Sequence, residues 1–462
     1  MHAESTAITE RMIGYREMKQ FHNNRHQGVR IASIAVLVCS VLLTACSDPA
    51  YFQFNESYVQ AAQWKPDVAK PQMRKLENPV VLLIESQKEN ISTILEGAFG
   101  TPDNPRIPGG VGLGDFLSMS KLQQAAGPVE RDEAHIPRGL YRQHCAHCHG
   151  VTGDGQGPTA SFLNPYPRDY RLGQFKFKMT DAGGTFKKPS KEDLKTTLLQ
   201  GIPGTAMPSF RVLAGTDINQ MIDYVIYLAI RGEVERSLIN ATLEITTSDE
   251  HPLLVEFDNG VKKADDLAFV KEMISNVVIQ WVGPDKTGNA QRTIAAAPDN
   301  WNSPASVKIG RTLFFQGKAN CFSCHGQTAI GDGQKNLYDN WTLELLGLDP
   351  SASDASAGAE ADVEDISLES QLYFYNEHLA GIGALKPRAI SPRNLRLGNF
   401  RGGRRPIDIY QRITSGIQGT PMPGNTKLTE AETWGLVAYV LSLPYEASSR
   451  PQSAPTFQRD RN

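Results

Sequence analysis

Two short motifs carry the chemistry of this sequence. Cys145-Ala146-His147-Cys148-His149 and Cys321-Phe322-Ser323-Cys324-His325 share the pattern Cys-x-x-Cys-His. Such a motif could contribute to a zinc site, act as a redox dithiol, or attach haem through its two thiols. A zinc site needs more Cys or His at suitable spacing, and the two motifs are far apart. The remaining cysteines, Cys39 and Cys46, lie in or just after a hydrophobic leader. A redox dithiol normally follows a strand in a thioredoxin-like pattern, which is absent. Covalent haem attachment suits both motifs. The thiols add across two vinyl groups on one edge of the ring, and the next residue then sits under the iron. This reading gives two covalently bound haem c groups, with His149 and His325 as proximal ligands. His147, held between the thiols, is poorly placed for the same iron.

The opposite face of each iron needs a second ligand. Met207 lies in GTAMPSF and Met422 in GTPMPGN. Met422 is the only methionine after Cys324, and its competitor His378 falls inside an insertion. In the first half Met179, Met207 and Met221 are all available, and alignment of the two halves selects Met207. Methionine is ordinarily a core filler. Two Met-Pro pairs at matching positions in the repeat, after two haem motifs, favour ligation instead. A thioether favours ferrous iron and raises the potential. Filling both positions leaves little room for a substrate at either iron.

The halves form a diverged repeat. CAHCHGVTGDGQG, PYPRDYRLGQF and GIPGTAMPSF are followed in the same order by CFSCHGQTAIGDGQ, ISPRNLRLGNF and GIQGTPMPGN. The sequence divides into a leader (1–45), an extension or tether (46–134), a first domain (135–232), a connecting segment (233–302), a second domain (303–445) and a disordered polar tail (446–462). The second domain holds an acidic, small-residue-rich insertion over 337–386, which reads as a solvated loop. Segment 47–130 is Pro- and polar-rich with little periodicity. It reads as a tether or as a wrap around the first domain.

Helices are expected around each motif. Gly139-Leu140-Tyr141 leads into the first and Ser306–Phe315 into the second. Thr216–Arg231 is amphipathic, and Ala264–Trp281 carries one apolar stripe. Thr429-Glu430-Ala431-Glu432 is a capping box, and Pro444 ends the helix it opens. Glu192-Asp193 reads as charge at a helix start.

Each half therefore resembles a class I cytochrome c domain, and the tandem resembles bacterial dihaem c-type cytochromes. The resemblance covers 135–232 and 303–445. It implies a mainly α protein of two small helical domains with low-spin haem, joined by an irregular segment. It also implies that a proline carbonyl behind the motif orients the proximal histidine. Pro158 is the candidate in the first domain; the second has no Gly-Pro there, which leaves its equivalent open. Arg168 and Arg393, in the repeated PRD/PRN block, are candidates for haem propionate contacts or for plain surface positions. Tyr170 and Leu395 are expected in the core.

The apolar run 31–43, preceded by Lys19, Arg25 and Arg30, is too short to span a bilayer and reads as a secretory signal. It ends Leu43-Thr44-Ala45-Cys46, which resembles the lipobox of bacterial lipoproteins. On that resemblance Cys46 is lipidated and holds the protein at the periplasmic side of a membrane, inner or outer. A formal net charge of −3 leaves no large basic field for nucleic acid. The expected function is electron transfer, without a catalytic residue. The resemblance implies a quinol–cytochrome c reductase, a terminal oxidase or a soluble cytochrome as redox partners. The competing expectations are a fixed electron-transfer subunit of a larger complex and a dihaem enzyme of the peroxidase or thiosulfate-oxidising type.

Overall fold

One 31-residue helix organises the first part of the molecule. The computed structural model describes residues 49–58, 65–67, 70–75, 83–131, 135, 137–179, 188–247, 249–258, 261–286, 296–334 and 375–449. The leader, Cys46, most of the 337–386 insertion and the end of the tail lie outside the described residues. In chain order the helices are α1 (Glu85–Phe99), α2 (Met119–Ala125), α3 (Leu140–His144), α4 (Ala146–His149), α5 (Lys191–Gln200) and α6 (Gly215–Ile245). There follow α7 (Ala264–Lys286), α8 (Pro304–Phe315), α9 (Phe322–His325), α10 (Pro406–Ser415) and α11 (Glu430–Ser442). Strands among the described residues make three two-stranded antiparallel ribbons at the periphery. No described helix is long and apolar enough to cross a membrane.

Local sequence sets the helix starts. Ser190 caps α5 and Asp193 returns the bond, so the Glu192-Asp193 pair lies in the first turn as expected. Ser303 caps α8 with Pro304 at its first position, and Thr429 with Glu432 closes the capping box of α11.

Helix α6 continues well past Arg231, where the amphipathic stripe suggested an end. It is buried on all sides from Met221 to Gly232, and Val234, Leu238 and Ile239 continue the burial. A helix apolar all round must be covered all round. The cover comes from α1 (Ile91, Leu95, Phe99), α2 (Leu122) and α7 (Ile274, Val278, Trp281). Residues upstream of 130 and downstream of 233 thus share the core of the first haem-motif module. Polar residues fix this wrap: Asn90 Nδ2 donates to the Val255 carbonyl at 2.9 Å, and Lys191 Nζ donates to buried Asp223 at 2.7 Å. At Gly232 a Cβ would run into the backbone of Arg171, so only glycine admits that chain onto α6.

The second module has a smaller core, built from Phe314, Leu395, Phe400, Tyr410, Trp434 and Tyr439 among others. Its terminal helices α8 and α11 cross at Gly310 and Gly435. A Cβ on Gly310 would overlap the Gly435 carbonyl, a backbone atom that cannot step aside. Gly310→Ala is therefore expected to destabilise the second module by about 1–3 kcal/mol, the usual cost of overpacking. Denaturant unfolding followed in the second module's Trp301 and Trp434 emission measures it, and an unchanged midpoint would refute the crossing.

Candidate haem centres

In both modules a proximal-histidine motif closes an α-helical turn and then bends sharply. His149 Nδ1 lies 3.1 Å from the Arg168 carbonyl, and His325 Nδ1 lies 3.1 Å from the Arg393 carbonyl. A carbonyl only accepts, so each Nδ1 carries the proton and each Nε2 keeps its lone pair for a metal. The orienting group is the carbonyl just after the proline of the PRD/PRN block, and Pro158 does not fill that role. The repeat of that block was the signal in the sequence that could have pointed to it.

The loops that follow share several backbone bonds. Gly155 N–H donates to the His149 carbonyl and Gly331 N–H to the His325 carbonyl, each at 2.9 Å. Tyr170 N–H donates to the Gly153 carbonyl at 2.7 Å, and Leu395 N–H to the Ala329 carbonyl at 3.0 Å. Ala329 holds φ at 61°, the left-handed region that glycine occupies at position 153. Behind each motif the chain passes so close to the Cys-x-x-Cys carbonyls that a Cβ at Gly157 or Gly333 would collide with them.

The methionine loops match as well. Thr205 N–H and Thr420 N–H close turns onto the Ile202 and Ile417 carbonyls at 3.2 and 3.1 Å. Ile202 and Ile417 in turn donate to the Met207 and Met422 carbonyls, both at 3.1 Å. The threonine hydroxyls accept from Met207 N–H and Met422 N–H at 3.1 and 3.3 Å. Gly204 and Gly419 supply the positive φ that these turns require.

The first module surrounds a cavity of about 1340 Å³, its open mouth included. Cys145, Cys148, His149 and Met207 all line it, and so does Met221. Met221 lies on α6 with its sulfur 4.0 Å from Cys145 Sγ. Met179 donates its N–H to Asp193 and is not among the lining residues. His147 is exposed. The Tyr170 ring stacks on His149 with centroids 4.7 Å apart. In the second module Leu395 occupies the matching place, and Phe314 lies 6.3 Å from the His325 ring at a tilt. All four motif thiols are free, as addition to a haem requires.

Burial shapes the electrostatics. It pushes the Cys145 thiol up to about 12 and Cys321 up to about 11. It drives His149 down to about 4 against the upward pull of its bond to Arg168. His325 is lowered too, again chiefly by burial. Neutral imidazoles, free thiols and a thioether beside an apolar cavity form a donor set that fits a covalently attached haem.

Two family models match the chain. Residues 132–225 match cytochrome c oxidase, cbb3-type, subunit III, and residues 307–444 match cytochrome c. No curated protein matches the sequence. Among solved structures, a chain of the Kuenenia stuttgartiensis reducing HAO-like protein complex is similar at 21% identity. The match covers 66% of this chain and 94% of that one, with a TM-score of 0.37. The protein thus carries two cytochrome c-type domains in tandem, the architecture of a dihaem class I c-type cytochrome. Such domains bind haem c covalently and use it for electron transfer.

Two predictions follow from this geometry. Gly157→Ala should deprive the first module of haem and Gly333→Ala the second, each halving the haem-to-protein ratio measured by alkaline pyridine absorption. Retention of full haem content would refute the close backbone approach. Because the folded His149 value is depressed, the stability it lends is present above the ordinary histidine value of about 6.5 and drains away as pH falls toward about 4. In the haem-free chain His149 should therefore stay neutral through the ordinary histidine range, and an NMR pH titration of the apoprotein that protonates it near 6.5 would contradict the burial.

Proposed function

We propose that this protein is an exported, lipid-anchored electron carrier holding two haem c groups, the first between His149 and Met207 and the second between His325 and Met422. Cys145, Cys148, Cys321 and Cys324 form the thioether bonds, and Cys46 carries the lipid on the periplasmic side of a bacterial membrane. The observation that carries the two-haem reading is duplication. The histidine–carbonyl bond, the glycine approach and the threonine-braced methionine turn occur twice with nearly equal distances. In the first module Met221 shares the side of Cys145, whereas Met207 sits in the turn that matches Met422. That match favours Met207 as ligand.

When bound, haem c supplies an iron that takes up and releases one electron. The chain does the rest. The Arg168 and Arg393 carbonyls hold the imidazoles in one tautomer and one orientation. The methionine turns are braced by backbone and threonine bonds, so each thioether is presented with little reorganisation when charge changes. The surrounding core keeps water away and favours the less charged ferrous state. Lipid attachment would keep the carrier beside membrane complexes, with a quinol–cytochrome c reductase, a terminal oxidase or a soluble cytochrome as partners. A second reading, a fixed subunit of an oxidase, is favoured by the first module's match to subunit III of a cbb3-type oxidase.

An optical redox titration of the purified holoprotein tests the carrier reading. Both haems should be low-spin, show the far-red ferric band of methionine ligation and titrate reversibly. Met207→Ala and Met422→Ala should each remove half of that band and lower one potential. A high-spin haem in the wild type would shift the reading to an enzyme with an open iron. Co-purification with an oxidase from detergent extracts would support the subunit reading.

A further inference from the structure

The two modules contact each other through matching surfaces. In the repeat, position 168 corresponds to 393, 177 to 402, and 204 to 419. A Cβ on Gly204, in the first methionine turn, would lie 3.4 Å from Arg393 Nη1 of the second module. A Cβ on Gly419, in the second methionine turn, would lie 3.6 Å from Arg168 Nη1 of the first. Phe177 packs on Gly402, its own counterpart. This reciprocity is the pattern of a two-fold contact between like units, here within one chain.

The contact delivers charge to the first cavity. Its walls include Arg168, Lys176 and Arg401 and, among the described residues, no carboxylate, and Arg401 comes from the second module. Arg401 Nη2 approaches the Gly204 carbonyl at 3.4 Å, and its buried Nε has no acceptor among the described residues. Arg393 Nη2, beside the same turn, is likewise buried without an acceptor. Leaving a guanidinium N–H buried and unsatisfied is costly. An apolar cavity rimmed by cations suits a flat apolar group that carries carboxylates, and haem has two.

We propose that Arg401 of the second module, with Arg393 adding charge beside the same turn, holds the carboxylates of the haem in the first module and raises its potential from across the interface. This rests on the dihaem reading. A cation near the ring stabilises the ferrous form, and removing it also leaves the haem carboxylates without a counter-charge, so both effects lower the potential. The first haem's affinity for its electron would then depend on the presence and fold of the second module.

Redox titration of the holoprotein tests this, with Met207→His and Met422→His variants used to assign each wave to its module. Arg401→Gln is expected to lower the first-module wave by about tenfold in its equilibrium, about 59 mV for one electron. Arg393→Gln should move that wave in the same direction, and Arg401→Lys should restore most of the loss. The second-module wave should respond less than the first to Arg401→Gln. A first-module wave indifferent to Arg401→Gln, or a shift confined to the second module, overturns the inference and leaves the carrier reading intact. A wild type with haem in one module alone sinks both.

Discussion

Each module depends on one bond, from an imidazole Nδ1–H to a backbone carbonyl. The Cys-x-x-Cys-His motif is too short to aim its own histidine. The aim is supplied from a distant stretch of chain, Arg168 or Arg393, which must be brought within 3.1 Å and kept there. The glycines behind the motif, the left-handed residue at 153 or 329 and the neighbouring backbone bonds serve that approach. A backbone carbonyl is a sound choice for the task. It cannot titrate, and a side-chain substitution does not remove it.

Much of the site was legible in the sequence because it is written in types that have few other uses. Two thiols and an imidazole at fixed spacing pointed to covalent haem, which the two cytochrome c family matches support. The Thr429–Glu432 capping box and the Glu192-Asp193 pair marked helix starts, while the caps Ser190 and Ser303 emerged only with the structure. The orienting carbonyl was harder to see, since a main-chain oxygen leaves no residue signature. The repeated Pro-Arg pair was its only trace. The long α6 helix was read short because an amphipathic stripe was sought in a helix that is buried all round. The α1 helix was missed for a related reason. Its buried face includes Gln87 and Asn90, which bond across to Pro252 and Val255 and dilute the apolar pattern.

The contact between modules could not be read from composition. It is made by arginine and lysine side chains reaching carbonyls and amides, such as Arg412 to the Lys178 carbonyl at 2.9 Å and Lys178 to Gln418 at 2.7 Å. Taken singly in the sequence, these cations look like a solvated surface. Brought together, they place one module's charge beside the other's methionine turn. Duplication explains how both turns came to present a bare glycine at the contact.

The wrap around α6 also makes the two halves unequal. The first module shares its core with segments before and after it, while the second relies on a smaller core of aromatic and aliphatic side chains and one glycine-on-glycine crossing. Cooperative units with fewer buried contacts open at lower free energy. Amide hydrogens of α8 and α11 should accordingly exchange through partial openings that leave α6 protected. The molecule then has an order of unravelling, with the haem motif nearer the C-terminus exposed to proteases and to solvent before its neighbour.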